Sequence, residues 1–321
     1  MSSPEIVIVR PAVDDIFPHR TLHQELAQRL LTACKNGAQQ RAEIRTSREL
    51  CELAAEELRD AILLVIGPFE SMGTSGDSST FVSAFASAGK RILASAVPAG
   101  SPWYEKQFVF PLKFDAVFDV GFVSQEHKHS RPDVAYHFVF NGSTRDEERM
   151  IRELTPPQER PILWTMVGYP TARRLELAAR LTEDLDPGGF VFMPGQASLL
   201  NPDGFPWWPH PLARHEKISP SSLATVLSKS RYYVWSSAHD LVYYESFRFI
   251  VAMRSGAVPC KILHDGTSQG LSDIPGVFPS VAALCDAVQE EGAPSLYRLA
   301  RDFYLSRGSL ATHLEEALKR V

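Results

Sequence analysis

The feature that most constrains this chain is a repeated alternation. Short apolar, β-branched runs are each followed by a polar break and then by a segment whose leucines and alanines recur at helical spacing. The first run covers residues 5–9 and leads, after a polar loop, to helical spacing over 22–33. The grammar then repeats, with a helix over 47–61, a strand over 62–66, a helix over 79–89 and strands over 91–94, 116–121 and 135–140. Strands that are apolar throughout are buried on both faces, so the pattern predicts a parallel sheet with helices on either side.

A polar, breaker-rich stretch over 141–157 reads as a linker, and beyond it the plan starts again. Strands are expected over 162–166, 190–193, 232–235 and 259–263, and helices over 172–185, 220–229, 244–255, 281–290 and 295–321. A length of 321 residues is about twice that of a usual domain, which agrees with two series. The expectation is an α/β protein of two facing Rossmann-like domains, residues 1–150 and 151–321, with a cleft between them.

Composition excludes several alternatives. With 44% hydrophobic residues, 22% charged residues and a formal charge of −5, the chain is neither disordered nor built around a polyanion, so nucleic acid is not an expected partner. The four cysteines lie far apart without a C-x-x-C pair, which argues against a zinc site or a disulfide framework and for a reduced, cytoplasmic setting. The N-terminus lacks the pattern of a signal peptide, and no apolar run reaches membrane-spanning length. Asn141-Gly142-Ser143 fits a glycosylation acceptor but, without an export signal, reads as a turn.

The specific text begins at Ser219, placed as an N-cap with Pro220 at the first helical position. A strand ending Tyr233-Val234-Trp235-Ser236-Ser237 follows. Next comes the helix Tyr244-Glu245-Ser246-Phe247-Arg248-Phe249-Ile250-Val251-Ala252-Met253-Arg254-Ser255, which stops at Gly256 and leads into Val258-Pro259. This order resembles the C-terminal half of glycosyltransferases of the two-Rossmann-domain (GT-B) type, and within them the CgeB-like and exostosin-like branch. There a serine and an arginine two positions later precede an A-[LM]-x-x-G-x-V-P step. Ser246, Arg248, Ala252, Met253, Gly256, Val258 and Pro259 match it. The resemblance covers residues 160–321 and, more loosely, the N-terminal half, where Phe114-Asp115-Ala116-Val117-Phe118 is similar to a strand of that branch. One position departs: many such enzymes carry two glutamates eight apart, and here the second position is Val251 while the nearby carboxylate is Glu245.

The resemblance implies transfer of a sugar from a nucleotide-sugar donor to a small-molecule or glycan acceptor. The C-terminal domain would hold the donor and the N-terminal domain the acceptor, with no metal ligands and no cofactor beyond the nucleotide-sugar itself. A catalytically silent relative and a sugar-nucleotide epimerase on the same fold are the alternatives. Arg248, near a helix start, can pair with a phosphate or make a structural ion pair. Glu245 can accept ribose hydroxyls or complement the helix dipole. Tyr244 and Ser246 flank it at the same helix start. Gly168, between a strand and the helix carrying Arg173 and Arg174, can let backbone approach a phosphate or simply form a turn. In the N-terminal half, His19 follows the first strand and can act as a base on the acceptor or merely cap a helix. The glycine-rich loop over 67–77 reads as an acceptor loop or lid, or a surface loop. The Trp207-Trp208 pair reads as a stacking platform or a core plug.

Overall fold

The computed structural model describes residues 6–10, 19–36, 41–67, 78–97, 104–105, 112–120, 122–123, 134–155, 158–168, 171–194, 213–214, 218–237, 243–263, 271 and 273–321. The loop over 68–77 and the Trp207-Trp208 pair lie outside them. The chain divides into two compact units, Met1–Arg145 with Arg307–Val321, and Asp146–Ser306.

In the first unit, β1 (Ile6–Arg10), β2 (Ala42–Thr46), β3 (Ile62–Gly67), β4 (Lys90–Ser95), β5 (Ala116–Asp119) and β6 (Ala135–Phe138) form one sheet in the order β2-β1-β3-β4-β5-β6, every pairing parallel. Alternate side chains of a strand point to opposite faces. On one face Val7, Val9, Leu63, Val65, Leu93 and Val117 pack with Leu50, Leu58, Phe81 and Phe85 from α2 (Ser47–Leu50), α3 (Ala55–Leu58) and α4 (Ser78–Ala86). α1 (His19–Asn36) packs against β1, β2 and α11 (Leu310–Leu318). Apolar burial on both sides explains why these strands read as continuous apolar runs.

Three local departures from the sequence reading have physical causes. The helix expected over 47–61 is two short helices. Thr46 and Glu49 form a capping box that starts α2, and Glu57 accepts from the Ala54 N–H at the start of α3. Strand β2 escaped notice because its sequence, Ala-Glu-Ile-Arg-Thr, is that of a half-buried edge strand with few apolar residues. The helix expected over 295–321 breaks at Gly308, whose φ of +92° places it in the left-handed region, and Ser309 then caps α11. Asn141-Gly142-Ser143 is buried here. Arg29 donates to Asn141 Oδ1 and to the Gly142 carbonyl, and the Leu310 N–H donates to the Ser143 carbonyl. A Cβ on Gly142 would run into the Gly308 carbonyl oxygen, so the close approach requires glycine.

The stretch expected to be a linker contains a helix, α5 (Arg145–Glu153). Its composition is almost wholly charged, but the charges are ordered: Asp146, Glu147 and Glu148 lie in the first turn, Arg152 pairs with Glu148, and Ile151 is buried. Glu147, nearly buried, also pairs with Arg254.

The second unit's sheet comprises β7 (Ile162–Val167), β8 (Phe190–Pro194), β9 (Ala213–Arg214), β10 (Ser230–Ser236), β11 (Val258–Ile262) and β12 (Val277–Phe278), in the order β9-β8-β7-β10-β11-β12 and all parallel. Counted along the unit this is 3-2-1-4-5-6, so the chain changes direction across the sheet between β7 and β10. Open α/β sheets bind their ligands at the carboxyl ends of the strands flanking such a switch. The helices are α6 (Ala172–Arg180), which continues as a π-turn over Leu181–Leu185, then α7 (Pro220–Ser228), α8 (Ser246–Arg254), α9 (Val281–Glu290) and α10 (Gly292–Ser306).

Candidate functional site

The carboxyl ends of β7 and β10 bring together a cluster of charged side chains. β7 ends at Val167-Gly168, and Thr171 caps α6 by accepting from the Arg174 N–H. That cap turns Arg174 inward, where it is 2% exposed and donates from Nε and Nη2 to the Ser236 carbonyl at 3.2 and 3.0 Å. One arginine thus ties the helix after β7 to the end of β10. Arg248, on the first turn of α8, makes the reverse tie: its Nη1 donates to the Val167 carbonyl at 2.9 Å and to the Tyr233 hydroxyl at 2.6 Å.

Glu245, the residue before α8, lies between these cations. Arg248 Nε is 3.4 Å from its Oε1, and the ammonium of Lys261, on β11, is 3.5 Å from its Oε2. Burial alone would raise the carboxyl's pKa. The nearby charges of Lys261, Arg248 and Arg174, with a smaller contribution from the Trp235 indole, outweigh it and hold Glu245 below the usual carboxylate range. Lys261 is buried to 1% exposure, and desolvation brings its pKa down to about 8 even though the Glu245 charge acts the other way. Among the described residues, three cations therefore face one carboxylate. Ser236 Oγ is buried at the same strand end and has no hydrogen-bond partner among the described residues.

The residues singled out from sequence fall as follows. Arg248 and Glu245 meet at 3.4 Å. Gly168 adjoins them, but the space its missing side chain leaves is filled by Arg174, whose Nη1 would be 2.9 Å from an added Cβ. Ser246 is buried in the first turn of α8, and Tyr244 is fully buried with its ring centroid 4.0 Å from that of Phe249. Arg173 is exposed on α6 while its neighbour Arg174 enters the cluster. His19 is the first residue of α1, and its side chain lies outside the described ones. Lys261 was missed, although a lone lysine within the apolar run Val258-Pro259-Cys260-Lys261-Ile262 is a legible anomaly. Among the described residues no group of three or more His, Cys, Asp or Glu side chains could hold a metal ion, and no helix is long and apolar enough to cross a membrane.

Two parallel sheets with flanking helices, one of them in Rossmann order, define an α/β fold of the GT-B type. The sequence matches no protein-family model and no curated protein. Among solved structures it is similar to T4 phage BGT in complex with UDP-glucose, at 15% identity and a TM-score of 0.57, and to T4 phage BGT in complex with UDP and Mn2+, at 13% identity and a TM-score of 0.54. A third structure, described as the DNA-modifying enzyme beta-glucosyltransferase in the presence and absence of uridine diphosphoglucose, matches at 12% identity and a TM-score of 0.50. Each match covers 98% of both chains.

Proposed function

We propose that this chain is a glycosyltransferase that moves a sugar from a nucleoside-diphosphate sugar to an acceptor. Residues 151–321 serve the donor and residues 1–150 the acceptor. The observation that carries the reading is the gathering of Arg174, Arg248 and Lys261 with Glu245 at the switch point of the second sheet. Cations at the carboxyl ends of strands flanking a switch suit an anionic ligand, and the anion this reaction must stabilise is the leaving diphosphate. Arg248 is the most exposed of the three cations, at 23% for its side chain, and is the one a phosphate would meet first. Tyr244, Ser246, Gly168 and Arg173 shape or flank the same site.

Glu245 offers an acceptor, and the buried Ser236 Oγ a hydroxyl with no partner among the described residues, to the donor's hydroxyls. His19, at the start of α1, is proposed as the base that takes the acceptor's proton. The cations do the work a metal ion would otherwise do, so transfer is expected without one. The Ser246 to Pro259 spacing supports placing the chain near the CgeB-like branch. T4 phage BGT, the similar fold, is described in complex with UDP-glucose, which makes a uridine donor the first to try.

The test is a thermal-shift screen against UDP, GDP, dTDP and CMP with and without Mn2+ or Mg2+, followed by turnover of the sugar nucleotide that responds. The acceptor panel should include duplex DNA, because the similar beta-glucosyltransferase structure is described as that of a DNA-modifying enzyme. A nucleoside diphosphate that raises the melting temperature, followed by sugar transfer, is the expected result. Binding without turnover would favour a silent relative, interconversion of sugar epimers would favour an epimerase, and no binding at all would overturn the reading.

A further inference from the structure

The first sheet has a switch point of its own. Counted along the unit its order is 2-1-3-4-5-6, so the chain changes direction between β1 and β3, as it does between β7 and β10 in the second unit. β3 ends in Gly67, which brings no side chain to the switch, and β1 ends in Arg10. The other four residues of β1 are apolar and fully buried, so a half-buried arginine at its carboxyl end stands out. Among the described residues the Arg10 guanidinium makes no hydrogen bond and no ion pair. Arg45, on the neighbouring strand β2, is by contrast closed onto Glu43 by two bonds of 2.8 and 3.1 Å. Glu49 lies near enough to feel the charge of Arg10, but it is already engaged. It accepts from the Thr46 N–H at 2.6 Å, and that bond, more than Arg45 or Arg10, holds its pKa below the usual carboxylate range. A guanidinium in this place offers its fork to the paired oxygens of a phosphate or carboxylate.

We infer that Arg10 binds an anionic group on the acceptor, so that the molecule receiving the sugar is a small one carrying a phosphate or a carboxylate. This rests on the transfer reading above and adds to it the acceptor's chemical class. The surroundings fit one compact anion better than a polyanion. A nucleic acid is held by a stripe of cations along its backbone. Here the neighbouring cation is taken up by Glu43, and Glu49 and Glu57, which also act on Arg45, would repel a second phosphate.

The experiment has two arms on the full chain. In the first, arginines are modified with phenylglyoxal and the sites read by peptide mass spectrometry, in the presence of inorganic phosphate, acetate or chloride at equal ionic strength. Phosphate or acetate is expected to slow modification of Arg10 at least about fivefold while the exposed Arg59 reacts as before, and whichever anion does so identifies the group. Equal rates at Arg10 in all three salts would overturn the inference. So would protection of Arg10 by UDP as strong as that by the anion, which would assign the residue to the donor. The second arm compares hexoses, hexose 6-phosphates, hexuronates and duplex DNA as acceptors. An anionic sugar should be preferred. Arg10→Met should raise its KM about tenfold with kcat little changed, and Arg10→Lys, a charge without the fork, should recover part of the loss. Transfer to a neutral sugar or to DNA in preference to both anionic sugars, or a KM indifferent to Arg10→Met, would overturn it. If wild type binds no nucleoside diphosphate while phosphate still shields Arg10, the transfer reading fails and the anion site stands.

Discussion

Lys261 offers a test of the site's electrostatics that needs no ligand. Its pKa is about 8 in the folded chain against an ordinary 10.5. At about 1.4 kcal/mol per pKa unit, that difference corresponds to about 3 kcal/mol of native-state cost for keeping the charge buried. The sign follows from proton counting. Below pH 8 both states hold the proton and the folded state bears the full cost. Between about 8 and 10.5 the folded state has released the proton while the unfolded chain still binds it, so stability rises with pH. Above 10.5 both are neutral and the gain is complete. Other groups titrate in this range too, so the informative quantity is the difference between wild type and Lys261→Met, measured by urea unfolding at a series of pH values. That difference should move by about 3 kcal/mol in favour of wild type between pH 7 and 10.5. Identical pH profiles for the two proteins would refute the claim that Lys261 is a buried charged lysine next to Glu245.

Other substitutions separate site from scaffold. Gly168→Ala places a Cβ 2.9 Å from Arg174 Nη1, and because Arg174 is buried the guanidinium must shift; a loss of about 1–3 kcal/mol and weaker UDP binding are expected by denaturation and titration. Gly142→Ala drives a Cβ into the Gly308 carbonyl, a backbone atom that cannot swing aside, and should destabilise the first unit by about 3 kcal/mol or more, seen as early loss of protection in α11 by hydrogen exchange. Ser219→Ala removes the N-cap that bonds the Ser222 N–H at 3.0 Å and should cost about 1 kcal/mol of stability with no change in UDP affinity.

How much of this was legible in the sequence depended on the kind of signal each element carries. Central strands such as Ile62–Gly67 announce themselves, because burial on both faces demands unbroken apolar runs. Edge strand β2, half-exposed, carries no such demand. Helix α5 was hidden for the opposite reason: it is held by ordered charges and one buried face, so its composition reads as that of a linker. At the candidate site, Arg248 carries a legible spacing pattern, and Glu245 is the carboxylate near the position where a second glutamate is lacking. Arg173 and Arg174, adjacent on a helix, look alike in the sequence, and only the fold shows that Arg174 is buried while Arg173 is exposed. Lys261 required asking why a cation stands in a buried strand, and its answer, a carboxylate sixteen residues earlier, comes only from the fold. The switch point itself is a property of strand order, which no local pattern encodes.

The most direct test of the account is a calorimetric comparison of UDP with uridine on wild type and Arg248→Ala. If the cluster exists to hold a diphosphate, UDP binds wild type at least about a hundredfold more tightly than uridine does, and Arg248→Ala removes most of that margin while leaving uridine's own affinity nearly unchanged. Equal binding of UDP and uridine by wild type, or a UDP margin that survives intact without Arg248, would contradict it.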